Sequence, residues 1–493
     1  MSEIVERFAR VRRDAPDRYL VHVPSAGVSL TAETIWQAHL DHRARLTELG
    51  LGQDDVLLCA AGNRPAVLPL WLACRSLGIA VMPIDAGTAP AEIAALALRF
   101  GGVMAVLPER VARDANLGRR HQYVEDLAIV AIAGAEPKPE LYRGAAALKL
   151  TSGSTGLPKA TFTTERHLVL DSEHITDAMG VGPQDCQLAS IPLSHAYGLG
   201  NLLIPALING TPFVLRDGFV PHQFLSDATT FGVRVFPGVP FMFDHFVVHR
   251  PAGRWPPALG RLISAGARLE GALVRAFHEA FGIKIHSFYG TSETGGICYD
   301  DTNQIDDDPT VGRALSGVQV TLRPEEGAPP GGGRVHVAGD AVAAGYAGEV
   351  PAAEGFTDDG FLTGDFGRLD ARGHLVLAGR ASSFINVAGR KVQPEEVERV
   401  LRSMPGVVDV RVVGAPDAIR GQQVVALLVT AGADLSVLAV RQFCASRLAP
   451  HKIPRAVVPL DRMPLTERGK ADRAQLQAIV RAHLNRPPET GML

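Results

Sequence analysis

The chain has 493 residues, 46% of them hydrophobic and 20% charged, with a formal net charge of −3 at pH 7. That balance supplies a large core and excludes a disordered or fibrous chain. A nearly neutral protein has no global attraction for nucleic acid or an anionic membrane, so neither is expected as a partner.

Residues 1–20, MSEIVERFARVRRDAPDRYL, carry charges throughout and lack the apolar core of a secretion signal. No uncharged apolar run reaches the length of about 18 residues that a membrane span needs, so a cytoplasmic location is expected. Cys59, Cys74, Cys186, Cys298 and Cys444 are odd in number and form no C-x-x-C pair. They read as reduced thiols, not as a disulfide framework or a zinc site.

Taken in chain order, RPAVLPLWLACRSLG (64–78) predicts a buried helix stopped by Gly78, and IAVMPID (79–85) the strand after it. The strand-like AAALKL (145–150) runs into TSGSTGLPKA (151–160), too rich in glycine and hydroxyls for a core strand or a stable helix. In RLEGALVRAFHEAF (268–281), Leu269, Leu273, Phe277 and Phe281 stand four apart, one apolar stripe on a helix. Gly282 stops that helix, and IKIHSFYG (283–290) is the next strand. Such alternation predicts parallel sheets covered by helices, with ligand loops at the strands' carboxyl ends.

The acidic run DDTNQIDDD (300–308) lacks the glycine and terminal glutamate spacing of a calcium loop and reads as a solvated loop. PEEGAPPGGG (324–333) is a turn. The domain boundary is placed after LAGR (377–380), giving a large N-terminal domain over 1–379 and a small one over 380–493. In the latter, PEEVERVLRSMPG (394–406) sets Val397, Val400, Leu401 and Met404 on one helical face. VVDVRVVG (407–414) and VVALLVT (424–430) are strands, and a second helix covers roughly 436–448. The expected fold is α/β: helix-covered sheets in the large domain and a compact α+β unit at the C-terminus.

In TSGSTGLPK, Gly153 and Gly156 open backbone conformations that let successive N–H groups converge on an anion. Hydroxyls add donors and Lys159 adds positive charge, which together suit a polyphosphate. The stretch is not a Walker A loop, because Pro158 stands five residues after Gly153, and it holds no G-x-S-x-G nucleophile elbow. On composition alone a solvated Ser/Gly turn fits as well.

The residue order is more specific. TSGSTGLPK resembles the phosphate-loop signature of the adenylate-forming superfamily, which includes acyl-CoA synthetases, peptide-synthetase adenylation domains and luciferases. PLSHAYGLG (192–200), SAGARL (264–269), FYGTSETGG (288–296), LTGDFGRLD (362–370), GRASSFINVAGRKVQPEEVE (379–398) and PLTERGKADR (464–473) follow in the expected order. The resemblance spans nearly the whole chain and implies ATP-dependent activation of a carboxylic acid to acyl-AMP, then transfer to a thiol.

By this resemblance, Thr151, Ser152, Gly153, Ser154, Thr155, Gly156 and Lys159 would hold the β- and γ-phosphates of ATP. Tyr289 would stack on adenine, with Gly266, Ala267, Ser287 and Gly290 around the nucleotide. Thr291 would contact the α-phosphate, Glu293 would bind Mg²⁺, Asp365 would accept from both ribose hydroxyls, and Arg380 would add a fixed charge. Lys470 matches the catalytic lysine on a mobile C-terminal domain. That domain would turn about a hinge near 380–383, at Ser382, to present Gly389 to the pantetheine tunnel. Ser287, Ser382 and Asn386 depart from the residues common at their positions, which bears on adenine contact, domain rotation and acceptor handling.

PLSHAYGLG lacks the aspartate that pairs with an α-ammonium in the peptide-synthetase branch, which disfavours an amino-acid substrate. His195 is expected to border the acyl pocket, or else to be a structural histidine stacked in the core. Tyr197, Gly198, Val239, Pro240, Phe241, Gly266 and Gly295 would form the pocket wall, the glycines leaving room and the aromatics favouring a flat or apolar acid. The chain ends soon after the lysine motif, so the acceptor is expected to be free CoA or the phosphopantetheine of a separate acyl carrier protein. A monomer or homodimer is expected. A nucleotide-binding protein that had lost catalysis would tend to lose Lys159, Glu293, Asp365, Arg380 and Lys470, all present here.

Overall fold

The computed structural model describes the chain except residues 1, 125, 152–157, 252, 307–308, 326–327, 329–330, 349–354, 381–384, 393, 431–434, 465–472 and 485–493. Two compact units divide it: residues 1–86, 93–151 and 159–381, and residues 87–92, 152–158 and 382–493.

Long apolar runs punctuated by glycine build the large unit. Val67–Leu77 is a helix buried from Val67 through Arg75 whose chain turns at Gly78 in the left-handed region, and Ala80–Pro83 follows as a buried strand. Gly271–Phe281 is a helix stopped in the same way by Gly282, and Ile285–Thr291 is the next strand. The parallel strands Gln187–Ala189, Val235–Gly238, Arg261–Ser264 and Ile285–Thr291 form the centre of a nine-stranded sheet with antiparallel strands at both edges. A seven-stranded sheet carries Val56–Cys59, Ala80–Pro83 and Ala145–Thr151 in parallel. Trp71, Phe213, Phe236 and Phe243 belong to the large apolar core that runs through this unit.

The expectation of parallel sheets fails after residue 295. No helix of the described residues lies between Phe281 and Pro394, and the strands from Val318 to Arg380 form an antiparallel five-stranded sheet. Short connections such as the predicted turn after Arg323 can join only antiparallel neighbours, whereas a parallel pair needs a crossover. The acidic run is not uniformly solvated either: Asp300 is buried and accepts from Lys284 Nζ at 2.6 Å. Asp306 pairs with Arg372. All five cysteines are buried and unpaired.

In the second unit the hairpin Val407–Asp417/Gly421–Thr430 is apolar on both faces. Val424, Ala426 and Leu428 pack with Val397, Leu401, Val440 and Cys444 of helices Pro394–Arg402 and Val437–Ala445. Val425 and Leu427 pack on the other side with Leu476 and Val480 of Arg473–Leu484. Both sets alternate along one strand, which is why the sequence shows an unbroken apolar run. No described helix is long and apolar enough to cross a membrane.

Candidate active site

Strands Ala145–Thr151 and Lys159–Thr164 run antiparallel, with Thr151 directly opposite Lys159. The glycine-hydroxyl loop therefore connects a hairpin, not a strand to a helix as in a Walker A loop. Ser152, Gly153, Ser154, Thr155 and Gly156 lie outside the described residues. Lys159 is buried, and its ammonium lies 5.2 Å from the ring centroid of Tyr346. The Tyr346 hydroxyl donates to Glu293 Oε1 at 2.9 Å. Main-chain bonds from Ala344 and Ala347 to the strand Lys159–Thr164 fix this tyrosine. Nothing in the sequence singles out Tyr346, since one tyrosine beyond a strand carries no motif.

Glu293 stands in the turn between Ile285–Thr291 and Gly295–Tyr299. A side chain on Gly290 would come within 2.5 Å of the Gly295 carbonyl oxygen, so the hairpin needs glycine there. Thr291 Oγ1 lies 3.0 Å from Thr294 Oγ1 and accepts the Thr294 N–H, which occupies it in holding the turn. Ser292, next to Glu293, is the third hydroxyl of this turn.

Tyr289 packs in a cluster with Ile297, Val335 and Val337, and its hydroxyl donates to Asp365 Oδ2 at 2.8 Å. Thr363 Oγ1 accepts the Asp365 N–H, and the Asp365 backbone stands opposite that of Arg380 on the adjacent antiparallel strand. Ser287 is buried and borders a cavity of about 10 Å³ shared with Lys284 and Asp300. Gly266, with φ +79°, and Ala267 lie exposed on the loop after Arg261–Ser264.

On the predicted acid side, the His195 side chain is 40% exposed, and Nε2 lies 4.0 Å from Asp85 Oδ2. That exposure sets aside the reading of a histidine stacked in the core. The Asn63 side chain braces the preceding loop by donating to the Ile191 and Arg216 carbonyls and accepting from Leu193 N–H. Tyr197 donates to the Ile263 carbonyl at 3.2 Å. Val239 and Pro240 start the helix Pro240–His249, and Phe241 meets Phe219 edge to face.

The wall glycines do not simply leave room. A side chain on Gly198 would strike the Pro192 carbonyl, and one on Gly295, at φ +70°, would strike the Asp171 carboxylate. These glycines are dictated by backbone and carboxylate packed against them. In the second unit Gly389 has φ +81° and, with Ala388 at +52°, turns the chain between Ile385–Val387 and Arg390–Val392. Ser382 and Lys470 lie outside the described residues.

Helix-covered sheets, an antiparallel sheet and a separate α+β unit define the fold of adenylate-forming enzymes. The chain belongs to the AMP-binding enzyme family: that family's profile matches residues 8–347, and the AMP-binding enzyme C-terminal domain matches residues 396–470. It is 32% identical to sulfoacetate–CoA ligase of Cupriavidus necator over 69% of this chain and 67% of that protein. It is 29% identical to a Streptomyces salicylyl-CoA synthase / salicylate adenylyltransferase over 89% of this chain and 86% of that protein. The amide bond synthetase McbA from Marinactinospora thermotolerans superposes with a TM-score of 0.82 at 26% identity, over 97% of this chain and 99% of that one.

Proposed function

We propose that the protein activates a carboxylic acid with ATP to acyl-AMP and pyrophosphate, and then transfers the acyl group to CoA, releasing AMP. The observation that carries this reading is family membership together with relatives named as CoA ligases, one of which is also named an adenylyltransferase. The side-chain chemistry agrees with it. A carboxylic acid with a pKa of about 4 is already ionised at neutral pH, so attack on the α-phosphorus needs no general base. It needs alignment and charge neutralisation on the phosphates.

In this reading Lys159 and the loop 151–156 hold the terminal phosphates, and Tyr346 keeps Lys159 and Glu293 in register. Glu293 suits Mg²⁺, which is commonly bound by one or two carboxylates plus substrate phosphates. When bound, the ion neutralises phosphate charge. Tyr289 donates to Oδ2 of Asp365, the carboxylate assigned the ribose hydroxyls. Because Thr291 is engaged with Thr294, Ser292 is assigned the α-phosphate contact in its place. Lys470 supplies charge at the reacting atoms, Ser382 marks the hinge at the start of the small domain, and Gly389 lines the route of the thiol. His195, Tyr197, Val239, Pro240 and Phe241 surround the acid, and the salicylate-named relative favours an aromatic one.

A second reading, an amine as acceptor of the acyl-AMP, is favoured by the fold's likeness to an amide bond synthetase. One experiment separates the two. The protein is incubated with ATP, Mg²⁺ and a panel of aromatic and aliphatic acids, with CoA, with an amine, or with neither. Acid-dependent AMP and pyrophosphate with an acyl-CoA mass is the expected result. An amide in place of the thioester would favour the second reading, and ADP with phosphate would defeat both.

A further inference from the structure

Lys149 and Asp171 are charged residues inside the large unit that the nucleotide chemistry does not use. Lys149 stands two residues before Thr151 on Ala145–Thr151 and is 6% exposed. Asp171 stands on the helix Glu165–Met179 and is 7% exposed. Burial pushes the ammonium's pKa down, opposed by the charges of Asp171 and Glu293. Burial pushes the carboxyl's up, opposed first by Lys149. The two feel each other without forming a direct ion pair. Burying two such groups costs on the order of several kcal/mol each in desolvation unless geometry offsets it.

Their surroundings locate them. Asp171 Oδ1 accepts the Gly296 N–H at 2.7 Å, and the same carboxylate fills the space beside Gly295. Its Oδ2 would lie 3.1 Å from a side chain on Gly200, one turn beyond Tyr197. Asp171 thus touches two segments of the predicted acid pocket, the strand of Gly295 and the helical stretch after His195. Ile175, Phe288 and Leu315 pack around the adjoining Gly296, and His174 is the other charge that Asp171 feels. Lys149 Nζ and Asp171 Oδ2 have no hydrogen-bond partner among the described residues.

We propose that Lys149 and Asp171 form the polar distal end of the acid pocket and select a carboxylic acid carrying a hydroxyl group remote from the carboxylate that is activated. The inference rests on the adenylation reading above. A hydroxyl can accept from an ammonium and donate to a carboxylate at once, which a hydrocarbon cannot do and an aromatic amine, its lone pair drawn into the ring, does poorly. A site built to satisfy such a group rejects the analogue lacking it far more strongly than an apolar pocket rejects a missing methylene.

The test uses the full chain with ATP, Mg²⁺ and labelled pyrophosphate. Acid-dependent exchange is measured with benzoate, its three monohydroxy isomers, 4-aminobenzoate, and hexanoate beside its terminal hydroxy analogue. At least one of the 3-hydroxy, 4-hydroxy and terminal hydroxy acids is expected to exceed its parent by about tenfold or more in kcat/KM, with no such gain for the 2-hydroxy isomer. Lys149→Met and Asp171→Asn should each shrink that ratio to within about threefold, and calorimetric binding of the same acids should follow the same ranking. Asp171→Asn retains an acceptor for Gly296, so the local fold survives the change. Equal use of parent and hydroxy acids, preference for the amine, or a ratio untouched in both folded variants would overturn the inference while leaving adenylation standing. No exchange and no binding with any acid would defeat both.

Discussion

Tyr346 holds two opposite charges in one small assembly, its ring under Lys159 and its hydroxyl on Glu293. Tyr346→Phe keeps the ring and removes one hydrogen bond to a charged group, a loss of about 1–3 kcal/mol. The KM for ATP–Mg²⁺ should rise about fivefold to about 150-fold with a smaller change in the acid's KM; an unchanged KM would place Glu293 outside the metal site. Gly295 offers a stability test. Gly295→Ala forces a methyl against the Asp171 carboxylate at a positive φ and should cost about 2–4 kcal/mol in a denaturant melt. Gly364→Ala, in the same family of motifs, meets nothing within 4 Å and should leave the melt nearly unmoved. Proximity of this kind was not legible beforehand. Asp171 and Gly295 are far apart in sequence, and nothing in either one's local pattern announces the other.

At the scale of elements, the sequence carried most where one pattern filled one element. The glycines after Leu77 and Phe281 ended helices where left-handed backbone is needed, and the tail's alternation placed its hairpin. The antiparallel sheet from Val318 was not foreseen, because a strand's partner depends on connection length and not on its own residues. The helix Ala32–Glu48 makes a further prediction. His42 is buried on it, 2.6 Å from the Tyr123 hydroxyl, and burial lowers its pKa to about 4. Unfolded histidine takes up a proton near pH 6.5. The folded state resists that proton, so its full contribution is present above about pH 6.5 and is lost as pH falls toward about 4. The ceiling is about 3 kcal/mol. Chemical melts across that range should show stability falling with acid, and His42→Gln should flatten part of the slope. An identical slope in the variant would mean the imidazole is not held neutral.

At the scale of the molecule, seven ordered motifs made the family legible from the sequence, and the family profile spans both units. The acid was not legible, because the pocket proposed for it would draw on a helix, a hairpin and a loop that no single motif spans. Roles assigned to the small domain predict a separation of half-reactions. Lys470→Ala should collapse acyl-AMP formation while thioester formation from supplied acyl-AMP persists; equal loss of both would contradict a lysine that serves only the first step. The most direct measurement follows an oxygen atom. An acid labelled with heavy oxygen in its carboxylate is turned over with ATP, Mg²⁺ and CoA, and the AMP is weighed by mass spectrometry. Attack of the carboxylate on the α-phosphorus, followed by thiol displacement, puts one labelled oxygen into each AMP. AMP that carries no label would mean that no acyl-AMP lies on the path.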